Sequence, residues 1–401
     1  MLIISAFGVA ERKISGLAQW LIATYGFTAT ARMFVNLFLA AYFLRITSSL
    51  AIVSEFFICL YATFALVFLL IGNAVKNGRG IKIYRVGILA YAAFFLIIIL
   101  LGENSCSHVL LLGIVFGIAD ALYWLPYHII RYEINTPEDR VLAFGAEKSL
   151  DNVLKIISPI FIGYILSKSY LPIFILLVVC TGIAFGLSYK IPDACIGEKF
   201  GKINFRKFVE SVAKNNVKIK AAYSGELLRG LNYIGALETT IQMMIFITFT
   251  SEFTLGKLTS GFAVAQIFIA YLVGKLLPKE LFKNTVVISA GLLFLSTILM
   301  VLKISEAAIV FYGAIFAMTV PTLNILQTSY SFNVMEKKEY RVEHMIAREF
   351  FRNTGRVLGF AFLALISTYL GGELNYWIRV TMGIMSVTIL FIAVHTKKYM
   401  N

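Results

Sequence analysis

Two recurring spacings gather most of the chemistry in this chain. Lys148, Asp151 and Lys155 fall at i, i+3 and i+7, and Glu349, Arg352 and Arg356 repeat that spacing with Asn353 alongside. On a helix each trio shares one face. An arginine fork matches a carboxylate or phosphate, and a lysine supplies a compact positive charge. Lys155, Arg352, Arg356 and Asn353 are therefore candidates to bind an anionic group. Counting Lys148 and Arg348, the two segments hold five cations against the two anions Asp151 and Glu349. That excess favours an anionic or zwitterionic ligand. The competing reading is a set of structural ion pairs.

Asp120, Glu238 and Asp151 are candidates for proton exchange, since carboxylates withdrawn from bulk water often serve that role. Their plain alternative is a permanent pair, Asp120 with Lys155 or Arg32 and Glu238 with Arg32. Glu147, Lys148, Arg348 and Glu349 lie near segment ends, where long side chains reach water easily; they suit a gate or structural pairing. Arg32, Asn36, Tyr123, Tyr127, Asn232 and Asn324 complete the candidate binding set, with Trp124, Tyr233, Gln242 and Gln327 nearby in sequence. Tyr123 and Tyr127 are spaced i, i+4 on the face of Asp120, a pattern that also serves packing.

Other chemistries lack their residues. The four cysteines and four histidines are scattered, with no HExxH and no paired-cysteine spacing, so no metal is expected. There is no phosphate-binding glycine loop, and no cofactor is expected. A membrane-embedded enzyme would need a nucleophile–base pair or a metal cluster, and neither is visible.

The elements that must position these groups follow from composition. Of 401 residues, 59% are hydrophobic and only 14% charged, and the mean hydropathy is +0.82. Soluble domains are about 45–50% apolar and about 25% charged. The chain is therefore a polytopic membrane protein. A spanning helix needs about 20 mostly apolar residues. Twelve runs qualify, at 16–44, 49–72, 84–102, 107–130, 143–166, 170–190, 221–249, 257–275, 284–302, 306–334, 346–370 and 374–395. They are uniformly apolar and do not alternate, which excludes a membrane β-barrel.

Twelve spans place both termini on one side. Lys and Arg crowd the loops after even-numbered spans and the two ends, whereas only Arg45, Lys168, Lys257 and Lys303 fall in the opposite loops. The positive-inside rule then puts both termini in the cytoplasm. It also accounts for the net charge of +14 without nucleic acid. Residues 1–15 read as a retained leader, because their basic residues follow the apolar stretch. The longest polar segment, 191–220, is basic and partly amphipathic, and suits a linker lying on an anionic leaflet.

That linker separates two six-span halves, and the halves resemble one another. Residues 138–157 and 339–358 align without gaps, matching Glu138, Arg140, Val141, Ala146 and Asn152 to Glu339, Arg341, Val342, Ala347 and Asn353. Lys155 meets Arg356. Spans 4 and 10 each contain a proline, Pro126 and Pro321, able to kink the helix. Two parallel six-span repeats joined by a basic linker resemble the major facilitator superfamily. In the loop after span 2 the family's acid is replaced by Lys76 within Gly72–Gly80, a departure that bears on the gate usually built there. Pro137, Glu138 and Arg140 keep the family's look after span 4. Ser158, Pro159 and Gly163 look like a degraded antiporter motif. The group Arg348, Glu349, Asn353, Gly355 and Arg356 is similar to a little-characterised branch in Gram-positive bacteria.

The resemblance implies an all-α protein of two pseudosymmetric six-helix bundles, residues 1–190 and 221–401. Helices 1, 4, 7 and 10 would line a central cavity, and 3, 6, 9 and 12 would face lipid. The charges avoid this last set, Arg379 near the end of span 12 excepted. The implied activity is secondary active transport by alternating access, proton-coupled, in the plasma membrane. The substrate would be a small organic anion or an amphipathic anionic compound, and the protein would act as a monomer. By pseudosymmetry Lys155 and Arg356 would face each other across the cavity. The alternatives are a lipid flippase or scramblase on the same fold, or a receptor that moves nothing.

Overall fold

The computed structural model describes residues 14–135, 140–193, 203, 209–210, 217–335, 341–369 and 374–399. Most of the basic segment 191–220, residues 1–13, and Pro137, Glu138 and Glu339 lie outside the described residues. Among the described residues the chain is helical and contains no strand. The first half comprises α1 (Gly16–Thr47), α2 (Leu50–Ala74), α3 (Gly80–Leu101), α4 (Val109–Glu133), α5 (Arg140–Leu166) and α6 (Leu171–Ser188). In the second half α7 is interrupted, with segments Val217–Leu231 and Ala236–Phe249. It is followed by α8 (Glu252–Leu276), α9 (Phe282–Leu302), α10 (Glu306–Met335), α11 (Arg341–Tyr369) and α12 (Leu374–Tyr399).

Local sequence sets these boundaries. Ser15, Ser49 and Ser251 accept hydrogen bonds from Ala18, Ile52 and Thr254 at the starts of α1, α2 and α8, satisfying amides that a helix start leaves open. The α2–α3 corner turns on Gly78, whose φ of 79° suits a residue without Cβ. Eight helical stretches are long and apolar enough to cross a membrane, and one of them, Leu50–Glu133, holds α2, α3 and α4 together. The two helices outside that set are α7, broken in the middle, and α11, which carries Glu343, Arg348, Glu349, Arg352 and Arg356.

Within the first half α1 packs on α5 and α6, α2 on α4, and α3 on α4 and α6. In the second, α7 packs on α11 and α12, α8 on α10, and α9 on α10 and α12. The halves meet along two long seams, α2 against α11 and α5 against α8. In the first seam the Phe57 and Phe360 rings stack with centroids 4.7 Å apart. The outward faces of α3, α6, α9 and α12 are apolar stripes, such as Leu89, Leu96 and Leu100 on α3 and Ile288, Leu292, Leu295 and Leu299 on α9. These spacings are helical, so each stripe is one exposed apolar face of its helix.

Candidate functional site

A cavity of about 390 Å³ lies between the halves, within the usual range for small-molecule sites. The first half contributes Tyr25, Arg32 and Asn36 from α1 and Asp151, Lys155 and Pro159 from α5. The second contributes Glu238 and Gln242 from α7, Thr259, Phe262 and Gln266 from α8, and Phe316 from α10. Met33, Leu37, Ile241 and Ile245 add apolar wall. Residues 25, 29, 32 and 36 repeat at i, i+4, i+7 and i+11, so one face of α1 supplies the whole row.

The charges of this cavity are balanced, two cations against two carboxylates. Arg32 donates through Nε to Asp120 at 2.9 Å and lies over the Trp124 ring at 4.3 Å. Asp120 also accepts from the Tyr91 hydroxyl. Asp151 is held by Lys148 at 2.7 Å, Lys155 at 3.0 Å and the Tyr25 hydroxyl at 2.9 Å. The Lys155 side chain keeps 44% of its surface open. Glu238 is exposed to the cavity and has no ion pair among the described residues. The Gln242 side-chain oxygen, also in the wall, is buried without a hydrogen-bond partner there.

Of the residues anticipated as ligands, Arg32, Asn36 and Lys155 line the cavity, together with the carboxylates Asp151 and Glu238. The others do not. Tyr123 and Tyr127 form a stacked layer on α4 (5.4 Å between centroids), where Thr28 donates to the Tyr123 hydroxyl at 2.8 Å. Asp120 sits behind Arg32, and α4 supplies none of the lining residues. Asn232 accepts from Thr388 of α12 at 2.9 Å, and Asn324 accepts from Arg229.

The α11 cations are taken up elsewhere. Arg352 meets Glu226 and Glu349, each at 2.7 Å. Glu226 also holds Arg229 at 2.8 Å, and Arg348 meets Glu349 at 3.0 Å. This cluster is buried, with Glu226 fully inaccessible. Arg356 donates to the Ile234 carbonyl at 2.8 Å and to Asn353 at 2.9 Å. Lys155 lines the cavity, whereas Arg356 is not among its lining residues. The reason is the neighbouring helix: α7 approaches α11 so closely that a Cβ on Gly230 would lie 1.9 Å from the Arg352 carbonyl, and one on Gly355 2.1 Å from that of Leu227. That contact turns the charged face of α11 onto α7.

The anticipated gate residues pair locally as well, Glu147 with Arg131 of α4 at 2.9 Å and Lys148 with Asp151. A cross-half pair on the face where α1 begins and α12 ends joins Lys76 to Glu343 at 2.7 Å, and both are buried. The family's acid is thus replaced by a base with an acidic partner in the other half. On the opposite face Glu252 of α8 takes Arg45 at 2.7 Å and Tyr170 at 2.5 Å. Glu343, Glu252, Tyr25, Thr259 and Gln266 were not singled out by sequence. The spacing of Tyr25 to Arg32 and of Thr259 to Gln266, i to i+7 in each case, was the available signal.

Two helical halves packed along two seams around a solute-sized cavity with both charged and apolar walls define a polytopic membrane protein of the transporter class. The Major Facilitator Superfamily model matches residues 21–339, and the chain belongs to that superfamily. A relative in Bacillus subtilis (strain 168), the uncharacterized protein YqgE, is 26% identical over 310 residues, covering 75% of this chain and 71% of its own length. Among solved structures, a bacterial homologue of the iron transporter ferroportin in its inward-facing state superposes with a TM-score of 0.71 at 13% identity, covering 97% of this chain and 99% of its own. The nucleoside transporter NupG superposes at 0.72 with 10% identity, covering 96% and 98%. At such identities these structures establish the fold.

Proposed function

We propose that the protein is a secondary active transporter working by alternating access, with the cavity between α1, α5, α7, α8 and α10 as its substrate site. The observation that carries this reading is a cavity walled by both halves and flanked on each face by a cross-half ion pair, Lys76–Glu343 and Arg45–Glu252. Rocking of the halves would break one pair while keeping the other. The solute is small and amphipathic. Its anionic group would meet Lys155 and Arg32, whose side chains are partly open, and a donor or cationic group would meet Glu238. A zwitterion fits this better than a simple anion, because the lining residues carry two carboxylates beside their two cations and include none of the α11 arginines. Glu238 carries the coupling proton in this scheme: Asp120 and Asp151 are each held by several donors, whereas a change at Glu238 breaks no bond.

The working unit is a monomer in the plasma membrane, its termini cytoplasmic, with residues 1–190 and 221–401 as the moving bodies and 191–220 as their linker. The test is thermal stability of the purified protein across anionic, zwitterionic and cationic metabolites at two pH values. A ligand of the folded state at about 100 times its Kd stabilises by about 2.7 kcal/mol. Amphipathic zwitterions should stabilise the wild type and not Lys155→Met, and the same compounds should enter proteoliposomes under a proton gradient. Stabilisation that survives Lys155→Met would remove the cavity assignment.

A further inference from the structure

The interruption of α7 is the one place among the described spans where a helix opens inside the bundle and closes again. Residues 232–235 leave the helical path, and a Cβ on Gly235 would fall 2.2 Å from the Gly230 carbonyl. Backbone at membrane depth must have its polar groups met. The Asn232 carbonyl accepts from the Gly235 and Leu237 amides at 3.1 and 3.3 Å, and that of Arg229 accepts from Asn232 and Ile234. The Ile234 carbonyl is met by a side chain, Arg356 Nε at 2.8 Å. The same guanidinium donates to Asn353 on its own helix and lies over the ring of Tyr61, 4.7 Å from its centroid. Tyr61 belongs to α2, in the other half. Glu238 sits in the first turn of the segment that resumes after the break.

We infer that Arg356 is a positioning residue: it ties the interruption of α7, and with it Glu238, to the α2 wall of the opposite half. Parting α2 from α11 then removes the ring from Arg356, loosens the Ile234 carbonyl and shifts Glu238. A cavity carboxylate thereby senses whether that seam is closed. The link rests on the proposed cavity only for what Glu238 does there. Amide exchange in α7 is read with no solute present, so the tie and the transport reading fail separately.

Hydrogen–deuterium exchange of the full-length protein in lipid nanodiscs tests the link. Arg356→Leu should speed exchange at residues 232–239 by about tenfold for loss of a charge-assisted hydrogen bond, Tyr61→Leu should speed it as well, and the double variant should be no faster than Arg356→Leu alone. Tyr61→Phe keeps the ring face and should match the wild type. Exchange that rises in Arg356→Leu but not in Tyr61→Leu would make Arg356 a local cap and overturn the link, as would effects that add. Should Arg356→Leu not fold, Arg356→Lys with Tyr61→Leu gives the same pair of outcomes. Labelling of Glu238 by a hydrophobic carbodiimide at fixed pH should also change in Tyr61→Leu, although Tyr61 is not among the cavity residues; unchanged labelling overturns the connection to the cavity.

Discussion

Helices α5 and α11 carry the same i, i+3, i+7 charge spacing at equivalent places in the two halves, and the fold uses them differently. On α5 the charges face open space: the Lys148 and Lys155 side chains are 62% and 44% exposed around Asp151. On α11 the Arg352 side chain is 14% exposed, locked between Glu349 and the Glu226 of α7. The difference lies in the partner helix. Close contact at Gly230 and Gly355 brings a buried carboxylate to α11, while α5 borders the cavity, and from another helix its Asp151 takes a tyrosine hydroxyl of α1. Charge spacing on one helix therefore does not decide between ligand site and structural network; what stands opposite does.

The contrast can be broken from either side. The largest effect is expected for Glu226→Gln, which leaves Arg229 and Arg352 buried without their shared carboxylate. Removing one partner of a buried pair costs about 3–5 kcal/mol, visible as a large fall in Tm and in monodisperse yield. A wild-type Tm would mean that the α11 network is dispensable. A smaller change is expected for Asp151→Asn. Its lysines already reach open space, so stability should fall by about 1 kcal/mol or less, while anionic solutes bind more tightly as Lys155 loses its competitor. Weaker anion binding would show that Asp151 itself contacts the solute. The smallest stability effect is expected for Glu238→Gln, within about 0.5 kcal/mol, because among the described residues Glu238 makes no hydrogen bond or ion pair. In that variant solute binding should lose its pH dependence; an unchanged pH profile would move proton coupling away from Glu238.

Much of the fold was legible because bilayer thickness imposes its own ruler. The twelve runs correspond to α1 through α12, and segments 3, 6 and 9, without charge in their interiors, expose apolar stripes. The site was legible only in part. Arg32, Asn36, Asp151, Lys155 and Glu238 were visible as polar residues in apolar runs, and they meet in one cavity. The contacts of Arg356 were not, since they depend on a helix break and on helix rotation, and neither follows from spacing on α11. Gly230, Asn232 and Gly235 were the local cue for the break. Lys76 illustrates a different limit: read against a familiar pattern it marks a loss, yet its partner Glu343 restores the pairing with the signs exchanged.

The carboxylate shared between α7 and α11 also has a consequence for how the chain is made. Glu226 and Arg352 are 126 residues apart, so the ribosome releases α7 long before α11. Centrally placed arginines cost about 2.5–3.5 kcal/mol each to insert, and α11 brings Arg348, Arg352 and Arg356 with Glu349 as their one acidic neighbour on the same face. Such a helix is a poor candidate to enter the bilayer alone. Glu226, paired with Arg229 at 2.8 Å and with Arg352 at 2.7 Å in the folded chain, would offer such a helix a carboxylate already in place. A nascent chain bearing Glu226→Gln should then stall with α11 unthreaded, leaving residues that follow it still on the side of the termini, where an impermeant thiol reagent can reach a cysteine placed among them.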